Sequence, residues 1–335
     1  MASITDIAKA CGVCKSTVSK ALNGAPDISA STRTKVIKAA EELGYRPNSA
    51  ARALKTNRTN TIGILYEDGG DTSFGLTHEY FASILEGFRK QAEESRYEIT
   101  FINCHSNDMS YYENCRYRNF DGVALICTDF ADLRVAELVN SDIPVVSIDY
   151  VFNGKMAVMS DNLSGMEAVM NYVYEMGHRR IAYIHGSDSE VAKARMVGFY
   201  RALQDKCLKI PEEYIREAYY HDPETSAEMT KALLALPKPP TCILYPDDFS
   251  AVGGINVLRQ KGLRIPEDIS VVGYDGILLS QIMEPKLTTF HQQTQKIGRT
   301  AARELISLIQ NPKTTPTQII SIPGELWEGK SVKKL

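Results

Sequence analysis

The chain holds 335 residues, 44% hydrophobic and 24% charged, with a formal net charge of −3. That length exceeds one small core, so two or three domains are expected, and the composition is that of a globular chain rather than a disordered or collagenous one. No run approaches the roughly eighteen apolar residues of a bilayer span, and no leader pattern opens the chain, so a cytoplasmic protein without a membrane partner is expected.

The charge is unevenly placed. Residues 1–60 hold ten Lys+Arg against four Asp+Glu, a balance of +6, whereas the remainder holds 28 against 37, a balance of −9. A basic head on an acidic body suits a chain whose first part meets phosphate. In that head, Ile4, Ile7, Ala8 and Cys11 recur at helical spacing, Gly12 breaks the path, and Val18, Ala21 and Leu22 resume it. Two short helices around a glycine turn are the helix-turn-helix signature. The second helix turns Lys15, Ser16, Ser19 and Lys20 outward, the donors and cations that phosphates and base edges accept.

Seven scattered cysteines (Cys11, Cys14, Cys104, Cys115, Cys127, Cys207 and Cys242) fit reduced thiols rather than a disulfide frame. Cys11 and Cys14 have half-zinc-site spacing, but no second close Cys/His pair completes it. A core thiol and a weak helix cap are expected there, and no metal and no cofactor anywhere in the chain.

A third helix is expected over Ser31–Leu43, capped by Ser29 and ended by Gly44. Pro47 then interrupts the chain, Asn48 can cap a new helix, and Ser49–Lys55 is an alanine-rich stretch of two turns. So short a helix is marginal alone and orders only against a partner. From Thr61 the pattern becomes alternating strands and helices. Strands are expected at 61–66, 99–102, 122–127, 144–149, 180–185, 241–245 and 270–274, with helices at 80–94, 164–175, 193–203, 225–236 and 250–261. Such alternation implies parallel sheets covered on both faces. The number of units points to two doubly wound lobes with a ligand cleft beyond the strand ends. Asp149, Asp275 and the Asp247–Asp248 pair all follow strands at that edge, as a polar ligand site requires.

The phrases Ile4-Thr5-Asp6-Ile7-Ala8, Val13–Ser19, Ala21-Leu22-Asn23-Gly24, Glu42–Asn48, Asp121-Gly122-Val123, Gly177–Ile181, Ser270–Asp275 and Leu287-Thr288-Thr289 together resemble the LacI/GalR family of bacterial transcriptional repressors. The resemblance covers nearly the whole chain. It implies a homodimer on a palindromic operator, controlled by a small effector in a body like the periplasmic sugar-binding proteins. The implied divisions are 1–47 for the helix-turn-helix domain and 48–58 for a hinge helix and linker. An effector domain at 59–335 comes next, with one lobe of 59–161 and 292–322 and another of 162–291 and 323–335.

Carried over from the family, Lys15, Ser16 and Lys20 face bases, Thr17, Ser19, Asn23, Ser29 and Thr32 lie near phosphates, and Thr5 is a further DNA-binding residue. Asn48, Arg52 and Leu54 belong to the hinge, with Leu54 wedging the central base step. Tyr80, Phe81, Asp149, Arg195, Asp247 and Asp275 match effector contacts. Lys20 stands where many members have Arg, and Asp247 where Asn is common. The implied effector is a sugar or sugar phosphate; the alternatives are a phosphorylated carrier protein or a purine-like co-repressor. An enzyme is not expected, because the chain has no nucleophile elbow, P-loop or H-E-x-x-H, and its six histidines fall in no catalytic motif.

Overall fold

The computed structural model describes residues 2–22, 24–45, 58–67, 75–102 and 109–335. Asn23, Asn48, Arg52, Leu54 and the whole expected hinge helix lie outside the described residues. The chain divides into two units, Met1–Thr59 and Asn60–Leu335.

In the first unit, α1 (Ile4–Cys11), α2 (Lys15–Leu22) and α3 (Ala30–Glu42) surround a small core of Ile7, Ala8, Cys11, Val18, Ala21, Val36 and Ala40. Ser3 and Asp6 form a reciprocal capping box that opens α1. Gly12 closes α1 with φ 65°, a left-handed backbone that an L side chain would strain. That turn fixes the angle between α1 and α2. Ser29 caps α3 by accepting the Thr32 amide at 3.2 Å.

The second unit contains two six-stranded sheets. The first has the order β11-β5-β4-β3-β1-β2, using β1 (Thr61–Tyr66), β2 (Glu98–Phe101), β3 (Gly122–Cys127), β4 (Val145–Ile148), β5 (Met156–Ser160) and β11 (Ile319–Ile322). The second has the order β12-β10-β9-β8-β6-β7, using β6 (Ile181–His185), β7 (Ile215–Glu217), β8 (Cys242–Leu244), β9 (Ser270–Asp275), β10 (Thr288–His291) and β12 (Glu325–Trp327). Every pairing is parallel except β10 with β12. The inner strands β1, β3, β4, β6, β8 and β9 are largely apolar and buried because both faces are covered. In β3, Ala124 and Ile126 enter one core while Val123 and Leu125 enter the core on the opposite face.

Two helices of the first sheet's cover, α4 (Glu79–Glu94) and α12 (Thr294–Gln310), pack along each other. Gly87 and Gly298 permit the approach: a Cβ on Gly298 would stand 1.9 Å from the Ile84 carbonyl oxygen, and one on Gly87 2.2 Å from that of Gln295. Between α4 and α12 the chain adds α5 (Tyr111–Arg118), α6 (Leu133–Val139), α7 (Asn162–Glu175), α8 (Glu190–Asp205), α9 (Pro223–Leu234), α10 (Asp248–Gln260) and α11 (Leu278–Ile282). The polypeptide passes from one sheet to the other three times: between β5 and α7, between β10 and α12, and between β11 and β12.

The expected strands and helices appear within a few residues of their expected bounds. Strands β5, β7, β10, β11 and β12 are additions; each has three to five residues, too few to display a period. The helix α12 is also an addition, although Ile297, Ala301, Leu305 and Ile309 carry its apolar stripe.

Candidate functional site

The exposed face of α2 presents Lys15, Ser16 and Lys20, while Thr17 and Ser19 are half-buried at its flank. Val18 and Ala21 turn inward and pin the helix to the core. Thr5 is half-buried in the first turn of α1. Lys20 pairs with Asp27 in an exposed ion pair, the kind that water screens and that yields readily to another anion. The face is therefore a set of solvated donors held at fixed spacing by a buried stripe. Cys11 is a buried core thiol, as expected. Cys14 is exposed before α2, with its sulfur 3.0 Å from the hydroxyls of Ser16 and Thr17. Those two hydroxyls stabilise the thiolate and bring its pKa down to about 7.

A cavity of about 450 Å³ lies in the second unit, and its walls come from both sheets. One wall is β4 with the start of α4: Asp149, Tyr150, His78, Tyr80 and Phe81. The other is the start of α8 with the ends of β9 and β10: Ser189, Arg195, Asp275 and Gln292. Of the six expected effector residues, Tyr80, Phe81, Asp149, Arg195 and Asp275 line it.

Arg195 is 3% exposed and held on three sides. Its Nε donates to Asn162 Oδ1 at 2.8 Å, its Nη1 donates to the Pro246 carbonyl at 2.7 Å, and its carbon lies 3.6 Å from the Tyr274 ring centroid. The Nη2 group stands 3.7 Å from Asp275 Oδ1. Burial works against this cation, and the surrounding tyrosine oxygens and Asp275 overcome it. Asp275 itself accepts from Gln292 Nε2 at 2.6 Å. Its burial pushes the carboxyl up to about 6, against the pull of Arg195. Asp149 accepts from the Tyr80 hydroxyl at 2.5 Å and is likewise raised by burial. Both aspartates hold a positive φ, 59° at Asp149 and 99° at Asp275, an uncommon conformation that concentrates at ligand sites.

Asp247 corrects the sequence reading. It is 1% exposed and does not line the cavity. It caps α10: Oδ1 accepts the Ser250 amide at 2.7 Å, and Oδ2 accepts the Ser250 hydroxyl at 2.7 Å and the His221 amide at 2.9 Å. Burial opposes its charge, but the His221 ring and these donors hold the carboxyl below the usual carboxylate range. Its reach to the cavity is through His221, whose Nδ1 lies 3.7 Å from Oδ1. Asp248 is buried and bonded to Ile277 and Thr289 within the fold.

The cavity also holds residues that sequence reasoning missed. His78 and His221 stand with ring centroids 3.7 Å apart, and Phe130 stacks on Tyr150 at 4.4 Å. No linear motif links positions so far apart in the chain. Gln292 was equally hidden; it comes after β10, a strand too short to read. Among the described residues, several buried atoms of this lining make no hydrogen bond: Asp149 Oδ1, Gln292 Oε1 and both ring nitrogens of His78. Buried polar atoms without partners are costly and uncommon, and a group of them facing one cavity marks a place where a ligand supplies the partners.

Family models match two stretches: bacterial regulatory proteins, lacI family, over residues 3–48, and the periplasmic binding protein-like domain over residues 170–332. The chain is 32% identical to the "Probable HTH-type transcriptional repressor ExuR" of Bacillus subtilis (strain 168), covering 100% of this chain and 99% of that one. It is 31% identical to the HTH-type transcriptional repressor PurR of Pasteurella multocida (strain Pm70), with 99% of each covered. Among solved structures, the transcriptional regulator CelR–cellobiose complex superposes with a TM-score of 0.72 at 26% identity, over 99% of this chain and 100% of that one. Among the described residues, no helix is long and apolar enough to cross a membrane. With similarity running through reader and body alike, the chain belongs to the LacI family and is a DNA-binding transcriptional repressor.

Proposed function

We propose that the protein represses its targets as a homodimer on a palindromic operator, and that a small polyhydroxylated effector in the 450 Å³ cavity sets its grip. The observation that carries this reading is the lining: Arg195, Asp149, Asp275 and Gln292 offer donors and acceptors from both sheets around unpartnered buried atoms. Hydroxyls both donate and accept, so a sugar satisfies both sets, and Phe81 or the Phe130–Tyr150 stack suits its apolar ring face. Glu190, Asp149 and Asp275 oppose one guanidinium in the lining, which favours an uncharged polyol over a sugar phosphate. A purine ligand is the second reading; the aromatic stack and the PurR relatives favour it.

In the reader, Lys15, Ser16 and Lys20 are assigned to base edges, and Thr5, Thr17, Ser19, Asn23, Ser29 and Thr32 to phosphates. Asn48, Arg52 and Leu54 are assigned to a hinge that orders on the duplex. A thermal-melting panel of neutral sugars, sugar phosphates and purines tests the effector, because a ligand that binds only the folded chain raises the midpoint. A neutral sugar should raise it and change operator affinity, and Arg195→Ala should abolish both effects. No shift with any small molecule, alongside intact operator binding, sinks the effector reading and leaves a phosphorylated carrier protein as the input.

A further inference from the structure

The geometry points to a divalent transition-metal site of the zinc class at the cavity wall, formed by His78, His221 and Asp247. Among the described residues these three are the one group of His, Cys, Asp or Glu whose ligand atoms all lie within 4.8 Å of one another. Two imidazoles and a carboxylate are a donor set that suits zinc and its neighbours.

Among the described residues the buried ring nitrogens of His78 make no hydrogen bond. The residue is 5% exposed, and although it precedes α4 its side chain caps nothing. His221 Nδ1 is a third buried nitrogen without a hydrogen bond among the described residues, 3.7 Å from Asp247 Oδ1. Asp247 is already oriented as a metal carboxylate needs to be. Ser250 and the His221 amide fix it from behind, and Oδ1 takes only the Ser250 amide, so one lone pair stays available. Phe81 and Phe249 stand 5.9 Å and 6.0 Å from the His78 ring and give the site an apolar surround.

Zinc–ligand bonds of about 2.0–2.2 Å bring tetrahedral ligand atoms roughly 3.3 Å apart. The ligand atoms here lie within 4.8 Å of one another, with His221 Nδ1 3.7 Å from Asp247 Oδ1, so closure needs only rotation about the broad χ2 wells of histidine. Three protein ligands leave a coordination position open, and because both imidazoles line the cavity, that position faces it. On the effector reading above, a hydroxyl of the sugar would close the shell. The ion's two positive charges would also offset the excess of carboxylates in that wall.

The full chain, freed of metal with a chelator, is titrated with zinc by calorimetry and with cobalt by visible absorption, in the absence of sugar. One zinc per chain, a raised melting midpoint and a cobalt spectrum without thiolate charge-transfer bands are expected. His78→Phe and His221→Gln should each weaken zinc binding by at least about 10- to 100-fold, the loss that even an outer-shell partner produces. Should His78→Phe fail to fold, judged by circular dichroism, His221→Gln and the wild-type cobalt spectrum decide. The site is overturned by a wild-type stoichiometry well below one zinc per chain. Thiolate bands, which would assign the ion to cysteines, overturn it too, as does wild-type affinity in the folded variants. Repeating the sugar panel with and without zinc separates this outcome from failure of the effector reading: zinc binding with no sugar response retires only the latter.

Discussion

The two units handle polar chemistry in opposite ways. In the reader, the candidate contact residues Lys15, Ser16 and Lys20 are exposed, and the core beneath them is wholly apolar. In the body, Arg195, Asp247 and Asp275 are almost fully buried. The difference arises from partner size. An operator brings its own large surface and its own negative charge, so the protein need only display cations at a fixed spacing. A small effector has too few atoms to desolvate its site. The protein must exclude the water in advance and bear the cost of buried charge while the cavity is empty.

Three tests press on that contrast, from the strongest expected effect to the weakest. Arg195→Ala leaves Asn162 Oδ1 and the Pro246 carbonyl without a donor and strips Asp275 of its cation. Breaking a buried pair in this way should cost about 3–5 kcal/mol, read as a lower denaturant midpoint; an unchanged midpoint would mean that the cavity charges are effectively hydrated. Lys15→Ala should leave that midpoint unchanged. It should relax preference at one base position per half-site by about 1–3 kcal/mol, measured by affinities for operator variants. Equal weakening on every sequence would make Lys15 a phosphate contact.

The mildest test concerns Cys14. Its pKa of about 7 puts thiolate in the majority above that pH and thiol below it. Iodoacetamide alkylation should therefore rise with pH about a midpoint near 7 and level off a unit or more above it, and Cys14→Ser should remove that phase. Ser16→Ala should move the midpoint upward, because it deletes the donor that contributes most to holding the thiolate.

What could be read from the sequence divides along the same line. The reader was legible because its signals are local: Gly12 ends α1, Ser29 caps α3, and the apolar stripes of α1 and α2 lie within a few residues. The lobes' apolar strands were equally plain. Asp149 and Asp275 are expected from the sequence because each stands at the ligand-edge end of a strand, and Arg195 because the family resemblance points to it; all three line the cavity. Asp247 shares the first signal, yet its hydrogen bonds run to Ser250 and the His221 amide and it does not line the cavity. A strand-end position predicts proximity to a cavity but not the direction in which a side chain is spent. His78 and His221 were invisible because their encounter depends on the two sheets facing each other. The helix α12 carries a readable stripe in Ile297, Ala301, Leu305 and Ile309, but it lies beyond the last legible strand of the alternation.

The three passages of the chain between the sheets restrict how the lobes can move. Pulling the lobes straight apart would stretch three covalent tethers at once, and sliding would shear them, so bending about the line they share is the soft motion left. The tethers lie beside one another: the Asp161 amide donates to the Ile322 carbonyl at 2.9 Å, and a Cβ on Gly324 would stand 2.4 Å from the His291 carbonyl oxygen. Asn162, which steadies Arg195, and Gln292, which steadies Asp275, sit on two of these tethers. A molecule that grips the guanidinium and the carboxylate therefore tugs on the pivot between the lobes itself, one side chain away from the cavity.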